Sequence, residues 1–176
     1  TFQIHGISTS GLSGGLNVNS SRCSAEGPGS RRSWSEIGRR GFAEASVATI
    51  TAEAGVAQGT FYIYFRSKED VMRELVLDMG RMLRHHLTEA TAKAKNRLDA
   101  ERLGLRAFLG FVRKNPDLYK VVEESQFVDE AVYRQYYTDF AKGYRIALSA
   151  AEKRGEIAAG GNGVTTEVRA WMLMGI

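Results

Sequence analysis

The sequence predicts an all-α protein in which a small helix-turn-helix unit precedes a larger helical domain. Three observations carry that expectation. From Arg31 onward apolar residues recur at three- and four-residue steps, no segment alternates with period two for long enough to make a strand, and the helical stretches are punctuated by capping residues and glycines.

Taken in order, residues 1–30 are rich in Gly and Ser, carry only Arg22 and Glu26 as formal charges, and show no periodicity. They are expected to be a disordered or non-native leader, and the GPGS at 27–30 reads as a cloning remnant or a mis-joined start. A short helix is expected over residues 33–40, stopped by Gly41, with Ile37 and Phe42 as apolar contacts. Ser46 can cap a helix over residues 47–54, Gly55 suits a tight turn, and a further helix covers residues 58–64. Ser67 with Asp70 resembles a capping box opening a long helix that reaches about Lys95. Its stripe is Val71, Leu75, Met79, Met82, Leu83 and Leu87. Helices are then expected over 101–114, from Pro116 in a first turn behind Asn115, and over 129–154 ahead of Gly155. A glycine-rich loop at 158–163 leads to a last helix beginning near Thr165.

The composition narrows the class without choosing a function. A chain of 176 residues with 43% hydrophobic content can bury one substantial core. The net charge of +4 is weak support for an anionic partner, because 20 acidic residues nearly balance 24 basic ones. Cys23 is the only cysteine, which excludes an intrachain disulfide and a CxxC metal site. No run approaches the eighteen or so apolar residues of a membrane span, and the expected location is the cytoplasm. Catalysis finds little support. His85 and His86 are adjacent and point to different helix faces, Glu123 and Glu124 likewise, and no nucleophile elbow or phosphate-cradling loop is present. No metal and no cofactor is expected.

The most informative stretch is SVATITAEAGVAQGTFYIYF, from Ser46 to Phe65. Ile50, Ala54, Val56, Phe61 and Phe65 give each of two short helices one apolar face, which is the pattern of a DNA-reading helix-turn-helix. The start of its second helix would enter the major groove. Gln58 can pair with adenine, Thr60 offers a hydroxyl and a methyl suited to thymine, and Gly59 lets the backbone come close. Phe61 and Phe65, at i and i+4, are expected in the core.

Those residues, together with Gly41, Phe42 and the SKED at Ser67, resemble the DNA-binding domain of the TetR family of bacterial transcription regulators. The resemblance runs without a gap from Ile37 to Asp70, and extends less specifically through FLGFVRKNPDLYKVVEESQF and YRQYYTDFAKGYRIALSAAEKRGEI to Ile176. It implies an N-terminal helix-turn-helix DNA-binding domain at 31–70 and a helical effector-binding and dimerisation domain at 71–176. It further implies that Tyr62, Tyr64 and Lys68 hold phosphates, with Ser46 donating from the preceding helix, so that Lys68→Ala would weaken binding to every sequence. Arg31, Arg32, Arg39 and Arg40 could add phosphate contacts or simply be solvated. Two departures from the family pattern stand out: Gly29 to Ser33 occupy positions that are usually apolar, and the last helix of the dimer interface is expected to be absent.

In the second domain Tyr133, Tyr137, Phe140 and Tyr144 form one helical stripe, with Phe108, Phe111, Tyr119 and Phe127 available to face it. Such a stripe more often builds core than pocket, but its tyrosines would give a cavity a few orienting hydroxyls. Phe108, Phe111, Tyr119, Phe127, Tyr133, Tyr137 and Phe140 are therefore the candidate ligand residues. The resemblance implies a repressor that binds a palindromic double-stranded DNA operator as a homodimer and is released by a small apolar or aromatic effector. The alternative is a ligand-binding or interaction protein of the same fold without DNA-binding competence.

Overall fold

The structure, a computed structural model, describes residues 41–158 and 165–175, and all regular structure within them is helical. The expected leader, the short helix at 33–40 and most of the loop at 158–163 lie outside the described residues. The helices are α1 (Val47–Ala54), α2 (Gln58–Tyr64), α3 (Lys68–Thr91), α4 (Arg97–Lys114), α5 (Pro116–Val128), α6 (Glu130–Lys153) and α7 (Thr166–Met174). α1 and α2 form the helix-turn-helix. α3 is the spine, packed against α4, α5 and α6, and α7 lies on α6.

Local chemistry sets most boundaries. Ser46 accepts from the Thr49 amide at 3.1 Å while Thr49 Oγ1 accepts from the Ser46 amide at 2.9 Å, a reciprocal cap that starts α1. α1 ends where Gly55 turns left-handed at φ 70°, with Val56 N–H donating to Thr51 O at 3.0 Å and Gly55 N–H to Ala52 O at 3.1 Å. Nothing crowds a side chain at Gly55, so only the backbone conformation penalises one. Gly55→Ala is expected to cost about 1 kcal/mol in urea denaturation; an unchanged midpoint would refute the assignment of strain to that φ.

α2 starts at Ala57 without a side-chain cap. At α3 the capping box is shared between two residues. Ser67 Oγ accepts from Asp70 N–H at 3.3 Å, but Asp70 Oδ2 reaches back one residue further, to Arg66 N–H at 3.1 Å. α3 stops at Thr91 rather than Lys95, because Asn96 caps α4, accepting from Asp99 N–H at 3.0 Å, and so starts that helix four residues ahead of the expected position. Pro116 opens α5 in its first turn, where a missing N–H costs nothing.

Asp129 joins α3 to α6. It caps α6 through Val132 N–H at 3.2 Å and receives the Arg73 guanidinium at 2.8 and 2.5 Å. Burial pushes the Asp129 carboxyl up, but the hydrogen bonds from Arg73 and from the Val132 and Ala131 amides outweigh it and hold the group below the usual carboxylate range. A lowered folded pKa stabilises at pH values above the unfolded one and is lost as pH falls through the folded one. Asp129→Ala should therefore cost about 1–2 kcal/mol at neutral pH, and the difference from wild type should shrink below about pH 4. Urea titrations at pH 7 and pH 3 check this. A difference that grows at pH 3 would contradict it.

One core joins the helix-turn-helix to the helices behind it. Phe42, Ala45, Ile50 and Phe61 under the helix-turn-helix are continuous with Val71, Met72, Leu75, Val76, Met79 and Leu83 of α3, and through them with Phe111, Leu118, Val121, Val122, Val132 and Tyr136. The expected domain division at residue 70 thus falls at the start of α3, and the core passes across it. The buried face of α3 is wider than the expected stripe, adding Met72, Val76, Asp78 and Gly80, because three helices surround it. Gly80 is where α6 comes closest, since a Cβ there would stand 3.1 Å from Tyr136 Cδ2.

Candidate nucleic-acid interface and core cavity

Phe61 anchors α2 to the core at 6% exposure, tilted against Phe65 with ring centroids 5.5 Å apart. A helix held by one face presents the opposite one, and here that ridge is Gln58, Gly59, Tyr62 and Ile63, all exposed. Thr60 and Tyr64 lie at its flanks, half-buried. Nothing in the structure lies within 4 Å of a Cβ built on Gly59, so the backbone there is open to close approach. Ile63 is 74% exposed and went unnoticed in the sequence. Its signal was available: it falls outside the Phe61/Phe65 stripe, and a β-branched apolar side chain on the open ridge can meet a thymine methyl.

Ser46, at the other end of the motif, is exposed and uses its hydroxyl in the α1 cap. Lys68 has a structural task that spacing could not reveal. Its Nζ donates to the carbonyls of Phe42 at 3.1 Å, Ala43 at 3.4 Å and Ala45 at 3.1 Å, and stands 4.5 Å from the centre of the Phe42 ring. An ammonium has three donors, and here three carbonyls of one turn meet them. Any phosphate contact by Lys68 would compete with this cradle.

In the second half the tyrosines do gather. Tyr133 and Tyr137 lie 4.9 Å apart, Tyr136 packs 5.0 Å from Tyr137 and 5.1 Å from Phe140, and Phe108 meets Tyr119 edge-on at 6.1 Å. Tyr137 Oη donates to Glu123 at 3.0 Å. Burial first, then the nearby phenol of Tyr119 and the charge of Glu123, push the Tyr137 phenol far above its ordinary value, so it is a donor at any physiological pH. Phe111 is core, 5.8 Å from the His86 ring. Phe127 is the correction: it is 84% exposed and makes no ring contact among the described residues, because α5 buries Val121, Val122 and Ser125 and turns Phe127 outward. Tyr136, which the expected stripe omitted, is the buried member at 3% exposure.

One cavity lies beside this cluster rather than within it, and another, of about 370 Å³, opens beside Phe111 and His86. The first, of about 210 Å³, opens between α3, α4 and α6, walled by Leu87, Ala100, Gly104, Phe140, Gly143, Tyr144 and Ala147, with Arg84, Arg97, Glu101, Thr88 and Thr91 adding polar groups. Phe140 is the one candidate ligand residue on its wall. Arg97 is ion-paired with Glu101 and stands 5.5 Å from the Tyr144 ring, while Arg84 lies 3.7 Å from Asp139 and 5.5 Å from the Phe140 ring. The cavity is therefore apolar in its walls, with both of its cations already partnered. Among the described residues no three His, Cys, Asp or Glu side chains converge as a metal site would need, and no helix is long and apolar enough to cross a membrane.

The spine helix α3 thus carries a helix-turn-helix at one end and a small cavity at the other. Residues 32–75 match the family of bacterial regulatory proteins of the tetR type. Over 92 residues it is 36% identical to the uncharacterized HTH-type transcriptional regulator YdgC of Bacillus subtilis, a stretch covering 49% of this chain and 46% of that protein. The chain thus spans about half the length of that curated relative. Its fold is that of the fatty acid degradation regulator FadR of Bacillus halodurans, at a TM-score of 0.73 and 19% identity over 82% of this chain and 75% of that one. It is likewise similar to the FadR of Bacillus subtilis solved in complex with stearoyl-CoA, at a TM-score of 0.67 and 20% identity over 82% and 78% of the two chains.

Proposed function

We propose that the protein is a ligand-responsive transcriptional regulator, a repressor that as a homodimer holds an approximately palindromic operator and leaves it when a small apolar or aromatic effector enters its second half. The observation that carries this reading is the open ridge of α2, with Gln58 and Gly59 presented by a core continuous with the cavity-bearing half. Gln58 and Thr60 read base edges, Ile63 meets a thymine methyl, and Tyr62, Tyr64 and Ser46 position the phosphates, while Lys68 would have to give up its carbonyl cradle to join them. Two recognition helices engage together only if they are spaced near one helical turn, so a small displacement of α3 is enough to lose affinity.

The cavity supports an effector with an apolar body. It is smaller than the roughly 300–1,000 Å³ of sites for drug-sized ligands, so a large effector would have to part α4 from α6. The stearoyl-CoA complex of the Bacillus subtilis neighbour supports a small-molecule effector in this fold. The reading places the protein in the cytoplasm.

Fluorescence anisotropy on the DNA upstream of the protein's own gene, against a random duplex of equal length, tests the reading. Gln58→Ala is expected to lose roughly tenfold on the specific duplex and little on the random one, at a salt dependence close to wild type. Equal loss on both duplexes, or no salt-sensitive affinity in the wild type, would favour a ligand-binding protein that does not read DNA.

A further inference from the structure

We infer that two adjacent carboxylates on α5, Glu123 and Glu124, form the contact through which the second half of the molecule sets the position of the helix-turn-helix: Glu124 positions the unit, and Glu123, held by Tyr137, ties the same helix to α6. The inference rests on the proposed regulatory function for its biological sense, but the coupling itself is a property of the chain.

Glu124 Oε2 accepts from the Phe42 backbone N–H at 2.7 Å, across 82 positions of sequence. Gly41, at φ 87°, makes that approach possible, since a Cβ there would stand 3.3 Å from Glu124 Oε1. The same short turn has its carbonyls taken by Lys68 Nζ. Residues 42–45 are thus gripped on the donor side by α5 and on the acceptor side by α3, immediately ahead of Ser46 and the start of α1. Phe42 itself is 7% exposed, so the turn cannot shift without disturbing the core. Lys120, one turn earlier on α5, lies 3.7 Å from Glu124 and keeps a positive charge beside it.

Glu123 points about 100° away around the same helix and accepts from Tyr137 Oη on α6, within the tyrosine cluster. One rigid helix therefore carries two neighbouring carboxylates, one committed to the DNA-reading end and the other to α6. Hydrogen bonds fail over a short range, and moving a 2.7 Å contact by about 1 Å removes it. A shift of α6 that breaks the bond from Tyr137 to Glu123 would release α5 on that side. The displacement of α5 then loosens Glu124 from Phe42. Small shifts become discrete changes in this way because packed elements have few alternative positions.

Hydrogen exchange followed by mass spectrometry on the full chain tests the coupling directly. Glu124→Ala is expected to raise exchange over residues 42–65 about tenfold and leave residues 140–153 unchanged, and Glu124→Gln, which keeps an acceptor oxygen, is expected to restore most of the protection. Tyr137→Phe is the decisive variant: it touches only the Glu123 side, yet should also raise exchange over residues 42–65. If Tyr137→Phe changes exchange on α5 and α6 alone, or if Glu124→Ala leaves residues 42–65 at the wild-type rate, the coupling is wrong. Anisotropy on the same variants separates the two claims. Faster exchange at 42–65 with no salt-sensitive DNA affinity in any of them would uphold the coupling and overturn the regulatory reading.

Discussion

Gly59→Glu should abolish operator binding while leaving the fold intact. Gly59 is exposed on α2, and an added Cβ meets nothing within 4 Å, so the substitution creates no clash. Glutamate is also a better helix former than glycine by somewhat under 1 kcal/mol, which should hold or slightly raise the melting temperature. Against DNA the effect has the opposite sign. A carboxylate brought within about 5 Å of a phosphate repels it by roughly 3 kcal/mol at the effective dielectric of a protein surface, a loss of about a hundredfold for each protomer. Anisotropy on the upstream duplex, with a thermal melt alongside, checks both halves. A binding-competent Gly59→Glu protein would remove α2 from the interface altogether.

Tyr136→Ala is expected to cost about 3–5 kcal/mol, a large part of the 5–15 kcal/mol by which a domain of this kind is stable. Tyr136 sits at 3% exposure where α6 meets α3, against Gly80 and between Tyr137 and Phe140. Removing the ring leaves a void that those neighbours cannot fill, because Gly80 has no side chain and Met79, Val76 and Leu83 are themselves fully buried. Tyr136→Phe separates packing from polarity. Burial pushes the Tyr136 phenol far above its ordinary value, so it is neutral throughout the working pH range, and the phenylalanine variant should lose far less. Urea denaturation of both gives the comparison. A midpoint for Tyr136→Ala within 1 kcal/mol of wild type would mean that the seam between α3 and α6 repacks freely.

What proved legible was what depends on neighbours in sequence. The caps at Ser46 and Ser67, the turn at Gly55 and the first-turn proline at Pro116 are local chemistry, and the structure places the helices they imply. Asn96 was overlooked although Asn followed by Asp99 three residues on carries the same signal, and α4 accordingly begins ahead of expectation. The helix-turn-helix residues were legible for a related reason: in a two-helix motif with one apolar face each, the exposed ridge follows from the buried stripe. Ile63 is legible in the same way, because it falls outside the Phe61/Phe65 stripe and so lies on the open ridge.

The sequence by itself determined the all-helical class, the order of helices, and the stretch from Ser46 to Phe65 as a helix-turn-helix, because periodicity and capping act within a few residues. The tertiary structure alone decided which aromatics share a cluster, that Phe127 faces outward while Tyr136 is buried, that the cavity opens beside Arg84 and Arg97, and that Lys68 and Glu124 grip one turn from two sides. Those facts depend on how helices rotate and cross. A helical stripe specifies only that some face is apolar, and the choice of partner across a gap of 82 residues is made by shape and by the need of the Phe42 amide and the half-buried Glu124 carboxylate to find each other.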